Sequence, residues 1–392
     1  MKIIDELNNK RVLIWGYGKE GKASESFINK YTHNVKYDIY EGNKEGFDEN
    51  DYDLIIKSPG IVYFTDDERF TSQTKLFLHE FKKQIIAVTG SKGKSTTSSL
   101  LYEVLKDLKK DVILVGNIGN PCFDYYEQIK EDTIIVFEIS AHQLVNLDVS
   151  PHIGIFLNLF EEHLDYYKTL DNYFNAKANI GKHQTKDDYL LVGNNVPSID
   201  TKSNVIKLNN DKHFDIKLLG EHNNYNANFV YYVLVNILKL DEKSVLTSMA
   251  NFNNLEHRID YVGKFNNIDY YDDSISTIPQ ATIEAIKSIK NIDTVLIGGM
   301  DRGINYTILI DYIRNNKLNY IFMYASGKRI YKEVSEYNYC HLVEDLNSAV
   351  KLAKQITKEN KAVVLSPGAA SYDSFKNFEE RGDIYIKLVK SN

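Results

Sequence analysis

The segment at residues 85–96 constrains the fold of this chain more than any other part of the sequence. The apolar and β-branched run Ile85–Thr89 leads into a turn with two glycines, Gly90–Gly93, and a helical pattern begins at Lys94 or Ser95. Glycines let backbone N–H groups converge on phosphate oxygens, and the N-terminus of a helix adds partial positive charge. The segment therefore predicts a strand, a phosphate-binding loop and a helix, which together form a building block of α/β proteins.

The residue types in this loop favour a nucleoside triphosphate, and we predict that it binds ATP. Lys94 would reach the β- and γ-phosphates, and the Ser95 hydroxyl would ligate Mg²⁺. The loop has the shorter form T-G-x-x-G-K-S-T, because Val88 stands where many phosphate loops have their first glycine. A plain turn that opens an ordinary helix is the alternative, and the strand before the turn argues against it. The predicted ATP-binding residues of the loop are Gly90, Ser91, Lys92, Gly93, Lys94, Ser95 and Thr96.

The rest of the chain alternates short β-branched runs with longer amphipathic ones, which is typical of βαβ units with parallel sheets. We predict an α/β protein of three domains: a Rossmann-like N-terminal domain, a central domain with a parallel sheet and the phosphate loop, and a C-terminal Rossmann-like domain. The boundaries are expected at residues 1–83, 84–255 and 256–392. The strand candidates are Arg11–Trp15, Asp53–Lys57, Ile85–Thr89, Thr133–Glu138, Ile153–Asn158, Tyr189–Val192, Thr294–Ile297, Tyr320–Tyr324 and Ala362–Ser366. The helix candidates include Thr96–Leu108, Asn224–Leu238, Ile278–Ile289 and Ser374–Leu388.

Composition argues against several classes of protein. The 392 residues are 43% hydrophobic and 26% charged, a mixture typical of globular proteins. The net charge of −7 is spread along the chain without a basic block, so we expect no nucleic-acid partner. Apolar runs fall short of the ~20 residues of a membrane helix, and the acidic residues near the N-terminus do not fit a signal peptide. Two cysteines cannot form a disulfide framework, so a cytoplasmic protein without membrane insertion is expected.

A second glycine turn, Gly16–Gly21, follows the first predicted strand and opens a helix. Asp38 lies 20 residues beyond Gly18, at the expected end of a second strand. Taken alone, this spacing is a dinucleotide-binding fingerprint and raises an NAD-dependent oxidoreductase as an alternative. The unit is short for a complete dinucleotide fold, so we favour binding of the diphosphate of a nucleotide-linked substrate. The candidate substrate-binding residues of this region are Gly16, Gly18, Gly21, Asp38 and Ser58. Ser58 lies in a Pro-Gly turn, and a purely structural role for that turn is the alternative to substrate binding.

Charged side chains follow the strands of the middle segment. Glu138 ends one predicted strand, His163 lies in an acidic segment after the next, and Lys177 lies on a predicted helix. A carboxylate at the carboxyl end of a strand, beside a phosphate loop, suits a Mg²⁺ ligand. For His163 and Lys177, an ordinary role as a surface or core residue is the alternative to a functional one. Near the C-terminus, a strand, a glycine-containing loop and the helix expected from Ser374 suggest a second anion site. Two anion loops without a nucleophile–histidine–acid arrangement favour phosphate transfer to a carboxylate, followed by amide formation.

Together these motifs resemble one family, the ATP-dependent Mur ligases, and in particular its glutamate-adding branch. The matching blocks occur in the family's order and cover all three predicted domains. Folylpolyglutamate synthetases share the phosphate loop but not the N-terminal unit. The blocks are T-G-S-K-G-K-S-T (89–96), G-N-I-G (116–119), E-I-S-A-H-Q-L (138–144), N-L-F-E-E-H-L-D (158–165), A-K (176–177), G-E-H-N-N-Y-N-A (220–227), H-R (257–258), D-D-S (272–274) and S-P-G-A-A-S-Y-D-S-F-K-N-F-E-E-R-G (366–382).

The resemblance implies an ATP-dependent acid–amino acid ligase of peptidoglycan precursor synthesis. In such a ligase, the carboxylate of UDP-N-acetylmuramoyl-L-alanine attacks the γ-phosphate of ATP, and the amine of glutamate then displaces phosphate from the acyl phosphate. Both steps concentrate negative charge, so bound cations are expected to stabilise them. The resemblance also implies that the N-terminal domain binds the UDP-sugar, the central domain ATP and the C-terminal domain the amino acid. We expect a monomer.

The resemblance assigns residues by position. Lys94, His163 and Lys177 are the implied catalytic residues, and two Mg²⁺ ions would be held by Ser95, Glu138, His163 and Lys177. Because an ammonium group cannot bind Mg²⁺, the family pattern implies a carbamate on Lys177. The further implied ATP contacts are Asn223, Asn226, Arg258 and Asp273. The implied contacts to the muramoyl-alanine end and to glutamate are Asn117, Ser140, Gln143, His163, Thr277, Arg302, Ser371 and Phe378.

Three departures from the family pattern stand out. Lys19 and Glu20 lie inside the first glycine turn, where small residues are usual. Ile275 stands where the D-glutamate branch commonly has a lysine, in the sequence D-S-K-A-T. Arg302 stands where that branch commonly has a lysine after a G-G-D-G turn, and arginine still binds carboxylates through its bidentate fork. D-glutamate is the first prediction for the amino acid, and L-glutamate, the substrate of a variant branch, is the alternative.

Overall fold

The computed structural model describes residues 2–117, 120–162, 164–210, 212–218, 220–252 and 256–391. The chain divides into two compact units. The first contains Met1–Asp215 and His222–Phe252, and the second contains Ile216–Glu221 and Asn253–Asn392. Two parallel sheets lie in the first unit and a third, mostly parallel sheet lies in the second, so the prediction of an α/β fold is confirmed. The domain boundaries at residues 83 and 255 stay predictions.

The first sheet has four parallel strands in the order β2-β1-β3-β4. Strands β1 and β3 are buried along nearly their whole length, as continuous apolar runs in a parallel sheet should be. The elements of this region are α1 (Ile3–Leu7), β1 (Arg11–Trp15), α2 (Lys19–Tyr31), β2 (Lys36–Tyr40), β3 (Leu54–Lys57), β4 (Phe70–Thr71) and α3 (Gln73–Phe81).

The second sheet has six parallel strands in the order β10-β9-β8-β5-β7-β6. Because β5 lies between β7 and β8, the carboxyl ends of these three strands meet at one edge, where ligands bind in open α/β sheets. The elements are β5 (Ile85–Thr89), α4 (Lys94–Asp107), β6 (Val112–Gly116), β7 (Ile134–Glu138), α5 (Ala141–Leu144), β8 (Ile153–Phe156), α6 (Leu164–Tyr167), α7 (Leu170–Lys182), β9 (Tyr189–Gly193), β10 (Asn204–Leu208), α8 (Glu221–Tyr231), which continues as a π-helical turn at Tyr232–Ile237, and α9 (Glu242–Asn251).

The third sheet, in the second unit, has the order β11-β12-β16-β13-β14-β15, with β11 antiparallel to β12 and the other pairs parallel. Alternate residues of β13 pack into two different cores: Val295 and Ile297 into one, and Leu296 into the other. Both faces of this sheet are therefore covered. The elements are β11 (Asp260–Phe265), β12 (Ile268–Asp272), α10 (Pro279–Ser288), β13 (Ile292–Ile297), α11 (Thr307–Asn315), β14 (Asn319–Phe322), α12 (Tyr324–Lys332), β15 (Cys340–Leu342), α13 (Leu346–Ile356), β16 (Ala362–Leu365) and α14 (Phe378–Lys390).

Two local predictions are wrong. Asp38 is the third of five residues in β2 rather than its end, because the strand pairs with β1 as far as Tyr40. The C-terminal helix begins at Phe378 rather than Ser374, and the Asn377 side chain caps it. The segment before Asn377 forms turns, so Ser371 is not at a helix N-terminus, and the second anion site loses the helix on which it depended. None of the helices among the described residues is long and apolar enough to cross a lipid bilayer.

Candidate active site

The phosphate loop lies between the carboxyl end of β5 and the N-terminus of α4. Gly93 precedes α4 with a φ angle of 84°, a conformation that side-chain-bearing residues rarely adopt. A Cβ atom at this position would also lie 2.5 Å from Oδ1 of Asn226 and would displace that amide. The first N–H groups of α4 have no acceptor within the helix, which is the arrangement that binds phosphate oxygens.

Two lysine side chains converge on one carbonyl oxygen of this loop. The Nζ atom of Lys94 donates to the carbonyl oxygens of Gly90 and Ser91 at 2.9 and 3.0 Å. The Nζ atom of Lys177, on α7, donates to the same Gly90 oxygen at 2.9 Å and to Oγ1 of Thr89 at 3.3 Å. The nitrogen atoms of two lysines therefore lie beside the loop, close to where the phosphates of a nucleotide are expected.

Lys177 is deeply buried, with 1% of its surface exposed. Its Nζ atom lies 4.7 Å from the ring centroid of Tyr173. Burial lowers the pKa of Lys177 well below its usual value, the charge of Lys94 lowers it further, and Glu162 and Glu138 act in the opposite direction. A lowered pKa increases the share of neutral amine, which is the nucleophilic form of lysine.

Asn158 holds the phosphate loop from the adjacent strand. Its Oδ1 atom accepts from the N–H of Lys92 at 2.9 Å, and its Nδ2 atom donates to the carbonyl oxygen of Lys92 at 3.0 Å. Its own carbonyl oxygen accepts from the N–H of Ser91 at 3.0 Å. Asn158 was not among the predicted site residues. The available signal was its place two residues after β8, at the edge of the sheet that carries the loop.

Glu138 ends β7 beside the loop and is 1% exposed. Its Oε1 atom accepts from Nδ2 of Asn117 at 2.9 Å. Its Oε2 atom is buried and has no hydrogen-bond partner among the described residues. A buried carboxylate oxygen without a donor is costly unless a cation binds it, so Glu138 fits the predicted Mg²⁺ site. Ser95, the other predicted ligand of this ion, lies in the first turn of α4, and His163 lies outside the described residues.

A cavity of about 340 Å³ opens beside the loop, within the size range of small-molecule sites. Four predicted site residues line it, and loops that follow strands of both sheets of the first unit contribute to its wall. His142 and Tyr173, which were not among the predicted site residues, also line it. The lining residues are Pro59, Gly60, Lys94, Asn117, Ser140, Ala141, His142, Tyr173 and Lys177.

Helix α8 brings two predicted ATP contacts to this unit. Asn223 and Asn226 are buried and three residues apart, so they share one face of the helix. The close approach of Asn226 to Gly93 places that face against the phosphate loop.

In the first sheet, the glycine turn after β1 packs against the loop that contains Ser58. The Ser58 hydroxyl donates to the carbonyl oxygen of Gly16 at 2.9 Å. A Cβ atom at Gly21 would lie 2.2 Å from that same oxygen, so α2 can approach the turn only with glycine there. Gly18, just before α2, has open space around it. The three predicted glycines and Ser58 therefore lie together.

Asp38 and Gln143, two further residues predicted to contact the substrate, do not line the cavity and contact other residues instead. Asp38 is exposed and lies 3.4 Å from Nη2 of Arg11, at the start of β1, whereas the glycine turn follows the end of that strand. Gln143 accepts from the backbone N–H of Ser140 at 3.0 Å and donates to Oε1 of Glu20 at 2.8 Å. Gln143 thereby connects α5 to α2.

In the second unit, Asp273 is buried directly after β12. Its Oδ2 atom accepts from the hydroxyl groups of Ser276 and Ser366, the latter at 2.7 Å. Burial raises the pKa of Asp273 to about 7, although these hydroxyls and the charge of Arg258 lower it. The two predicted ATP contacts of this unit, Arg258 and Asp273, are thus close enough for their charges to interact.

Two loops that carry predicted glutamate contacts lie side by side in this unit. Met300 and Ala370 form a β-bridge, and the N–H of Met300 donates to the carbonyl oxygen of Ala370 at 2.8 Å. Arg302 is exposed in the first loop, and Ser371 is buried in the second. Thr277 is half-buried, two residues before α10.

A buried arginine that was not among the predicted site residues ties the turn after β12 to the loop before Ser371. Arg381 donates from Nη2 to the carbonyl oxygen of Ser274 at 2.7 Å, from Nε to the Ser274 hydroxyl at 3.0 Å, and from Nη1 to the carbonyl oxygen of Ala369 at 3.1 Å. The Ser274 hydroxyl donates in turn to the carbonyl oxygen of Phe378 at 2.8 Å. Arg381 therefore fixes the loop before Ser371 and the start of the helix that carries Phe378.

Several known proteins are similar to this chain in sequence. Residues 88–268 match the family model of the Mur ligase middle domain. The chain is 31% identical over 447 residues to a UDP-N-acetylmuramoylalanine--D-glutamate ligase of Bacillus cereus (strain G9842), with 99% of each chain covered. It is 30% identical over 438 residues to a ligase of the same name from Oenococcus oeni, again with 99% of each chain covered. The chain belongs to the Mur ligase family.

Solved structures with low sequence identity share the fold. The UDP-N-acetylmuramate-alanine ligase MurC of Thermotoga maritima matches with a TM-score of 0.63 and 20% identity, covering 96% of this chain and 98% of that one. The MurF ligase of Thermotoga maritima in complex with ADP matches with a TM-score of 0.61 and 16% identity, covering 98% and 95%. The predicted three-domain α/β architecture is that of the family. The chain is thus an ATP-dependent, amide-bond-forming ligase of peptidoglycan synthesis, as the motifs predicted, and the oxidoreductase alternative gains no support.

Proposed function

We propose that this chain, acting as a monomer, uses ATP to add D-glutamate to UDP-N-acetylmuramoyl-L-alanine. The observation that carries the proposal is the cavity in which Lys94, Lys177 and Ser140 meet beside the phosphate loop, in a chain that aligns over its full length with ligases named for this reaction. The cavity is lined by the amino groups of Lys94 and Lys177, the hydroxyl of Ser140 and the amide of Asn117.

The first step joins the substrate carboxylate to phosphate. The triphosphate binds the N–H groups of the loop, and Lys94 exchanges the carbonyl oxygens of Gly90 and Ser91 for phosphate oxygens, which are stronger acceptors because they are charged. A carboxylate oxygen in the cavity attacks the γ-phosphorus, the bond to the bridging oxygen of ADP breaks, and an acyl phosphate forms. Asn117 and Ser140 line the cavity where the muramoyl-alanine end is proposed to lie.

Two Mg²⁺ ions are proposed to assist. Ser95 and Glu138 would hold one, and the unpartnered Oε2 atom of Glu138 supports this position. His163 and a carbamate on Lys177 would hold the other. Bound Mg²⁺ neutralises charge on the transferred phosphoryl group. The buried Lys177 amine supports carbamylation, because its lowered pKa leaves the nitrogen pair available to attack CO₂.

The second step requires a bound amino acid. We propose that Arg302 pairs with one carboxylate of glutamate, that Ser371 and Thr277 bind the other, and that Phe378 forms a wall. The glutamate amine attacks the acyl carbon, and phosphate leaves with the bonding electron pair. By the same positional match we propose Asn223, Asn226, Arg258 and Asp273 as ATP contacts.

L-glutamate is the second candidate, and a specific residue favours it. Ile275 is half-buried in the turn after β12, at the position where the D-glutamate branch commonly has a lysine. Its backbone N–H donates to the carbonyl oxygen of His257 at 3.1 Å, so the turn forms without that lysine. The loss of a cation removes a partner for the carboxylate, and the geometry of glutamate recognition can change with it.

The test is a parallel ligation assay with D- and L-glutamate on UDP-N-acetylmuramoyl-L-alanine, with the products identified by mass spectrometry. We expect ATP-dependent product with D-glutamate. A clear preference for L-glutamate would overturn the stereochemical assignment, and ligation of neither would overturn glutamate as the substrate. An Ile275→Lys variant, compared with an Ile275→Leu control, shows whether this position sets the preference.

A further inference from the structure

Thr89, the last residue of β5, contacts the buried amine of Lys177. The side chain of Thr89 is fully buried, and Nζ of Lys177 donates to its Oγ1 atom at 3.3 Å. The same nitrogen donates to the carbonyl oxygen of Gly90 at 2.9 Å and lies over the ring of Tyr173. The amine is therefore surrounded by a hydroxyl, a carbonyl and an aromatic face.

The hydroxyl of Thr89 can donate a hydrogen bond, which the neighbouring carbonyl of Gly90 cannot. A threonine hydroxyl offers one donor and two acceptor positions. In the hydrogen bonds found within the described ranges, Thr89 Oγ1 acts only as an acceptor, from Lys177. The carbonyl oxygen of Gly90 already accepts from both Lys94 and Lys177 and has no proton to give. The Thr89 proton is thus placed to serve an anionic oxygen of a carboxylate group bonded to the Lys177 nitrogen.

We propose that Thr89 is the positioning residue for a carbamate on Lys177. This rests on the proposed carbamate itself. On carbamylation, the neutral amine forms an N–C bond to CO₂, one C=O electron pair moves onto oxygen, and the nitrogen releases one proton to solvent. The product keeps one N–H, which stays bonded to the Gly90 carbonyl. The Thr89 hydroxyl turns from acceptor to donor and binds one carbamate oxygen.

Because the Thr89 hydroxyl would donate to the carbamate, substitution of Thr89 should weaken the carbamylation of Lys177. Valine at position 89 has nearly the shape of threonine but offers no hydrogen bond. Because hydrogen bonds to charged groups are stronger than those between neutral ones, Thr89→Val should raise the CO₂ concentration needed for half-occupancy by about tenfold or more. Serine keeps the hydroxyl, so Thr89→Ser should retain most of the occupancy.

The experiment is a titration of the full chain with ¹³C-bicarbonate, in which carbamate is measured by its ¹³C NMR resonance. A Lys177→Arg variant identifies the resonance of Lys177. The matched control is Thr97→Val, because the buried Thr97 hydroxyl also serves a loop carbonyl, that of Gly93, at 2.9 Å. We expect weakened carbamylation in Thr89→Val and near-normal carbamylation in Thr89→Ser and Thr97→Val.

Unchanged carbamylation in Thr89→Val would overturn the role of Thr89, while leaving the carbamate in place. If the wild type shows no carbamate resonance that disappears in Lys177→Arg, the proposed carbamate is overturned, and this inference with it. Thermal unfolding checks that the variants fold. If Thr89→Val does not fold, Thr89→Cys takes its place, since a thiol is a weaker donor, and normal carbamylation in that variant would contradict the proposal.

Discussion

At the scale of single residues, the partners of the lysines beside the phosphate loop differ in kind. Lys94 is bonded to neutral carbonyl oxygens, whereas Lys92 forms an ion pair with Glu162. Phosphate oxygens are charged acceptors and hold a cation more firmly than carbonyl oxygens do, so the bonds of Lys94 to Gly90 and Ser91 can be exchanged for bonds to phosphate. The side chains of Lys92 and Lys94 should therefore contribute unequally, although both are in the loop.

Substitution of the two lysines tests this difference. The rate of phosphate release from ATP is measured in the presence of the muramoyl substrate and glutamate. In Lys94→Met we expect this rate to fall by about 100-fold or more, because the variant lacks one group that stabilises developing charge. In Lys92→Met we expect a loss below about tenfold, because its partly exposed ion pair contributes little. Lys106→Met, on the exposed side of α4, is the control. Equal losses in Lys92→Met and Lys94→Met would contradict the assignment.

Asp273 gives a pH-dependent prediction at the same scale. Its folded-state pKa of about 7 lies above the ordinary value of 3.8, because the carboxyl group is buried. Between these values the unfolded chain has lost a proton that the folded chain keeps, so the contribution of Asp273 to stability falls as pH rises through this window. Asp273→Asn removes that fall. We expect the melting temperature of the variant to gain on that of the wild type between about pH 5 and pH 7.

The exposed Asp311, which pairs with Arg314 on the surface of α11, provides the control for Asp273. Asp311→Asn removes a carboxylate from the exposed surface and shows how much of any difference comes from the loss of one negative charge alone. An Asp273→Asn variant whose difference from the wild type is independent of pH would show that Asp273 is charged in the folded protein throughout.

At the scale of secondary-structure elements, the sequence was informative where an apolar run meets a glycine. The bounds predicted for β1 and β5 are those observed, because each run fills a parallel strand and ends at a turn that only glycine permits. The start of α14 could not be read in this way. Residues 369–376 contain no glycine, and Arg381 ties the start of this segment, at Ala369, to Ser274, which is distant in sequence.

The candidate site shows the same limit. The carboxyl ends of β5, β7 and β8 could be expected to meet, which placed Glu138 beside the phosphate loop. Side-chain direction could not be deduced: Gln143 turns to Glu20, and Asn158 turns to the backbone of Lys92. These choices depend on tertiary neighbours that no local pattern encodes.

Arg381 provides a prediction for the elements of the second unit. Its guanidinium is fully buried and supplies donors to four oxygen atoms of two loops, of which the carbonyl oxygen of Ala370 also accepts from the N–H of Met300. Arg381→Met would remove these donors, at about 1–3 kcal/mol for each buried acceptor left unsatisfied. We expect a marked drop in the melting temperature and, in the folded fraction, a rise in KM for glutamate larger than that for ATP. Arg314→Met, on the exposed surface of α11, is the control. Normal stability and an unchanged KM for glutamate would contradict the role.

At the scale of the whole molecule, three sheets provide different parts of one ligase. The first presents a glycine turn beside Ser58, the second a phosphate loop with Glu138 and Lys177, and the third the loops tied by Arg381. A chain related over its full length to amide-forming ligases should couple ATP cleavage to its carboxylate substrate. Bound ATP should therefore be hydrolysed only slowly unless the muramoyl substrate and the amino acid are both present.

The coupling itself can be measured with an isotope. The wild-type chain is given ATP, Mg²⁺, glutamate and UDP-N-acetylmuramoyl-L-alanine that carries ¹⁸O in its terminal carboxylate, and the released phosphate is examined by ³¹P NMR. If the carboxylate attacks the γ-phosphorus and the amine then displaces phosphate, each released phosphate acquires one carboxylate oxygen, and its resonance shows the ¹⁸O isotope shift. Phosphate without the label, formed at the same rate as the ligated product, would contradict the acyl-phosphate mechanism.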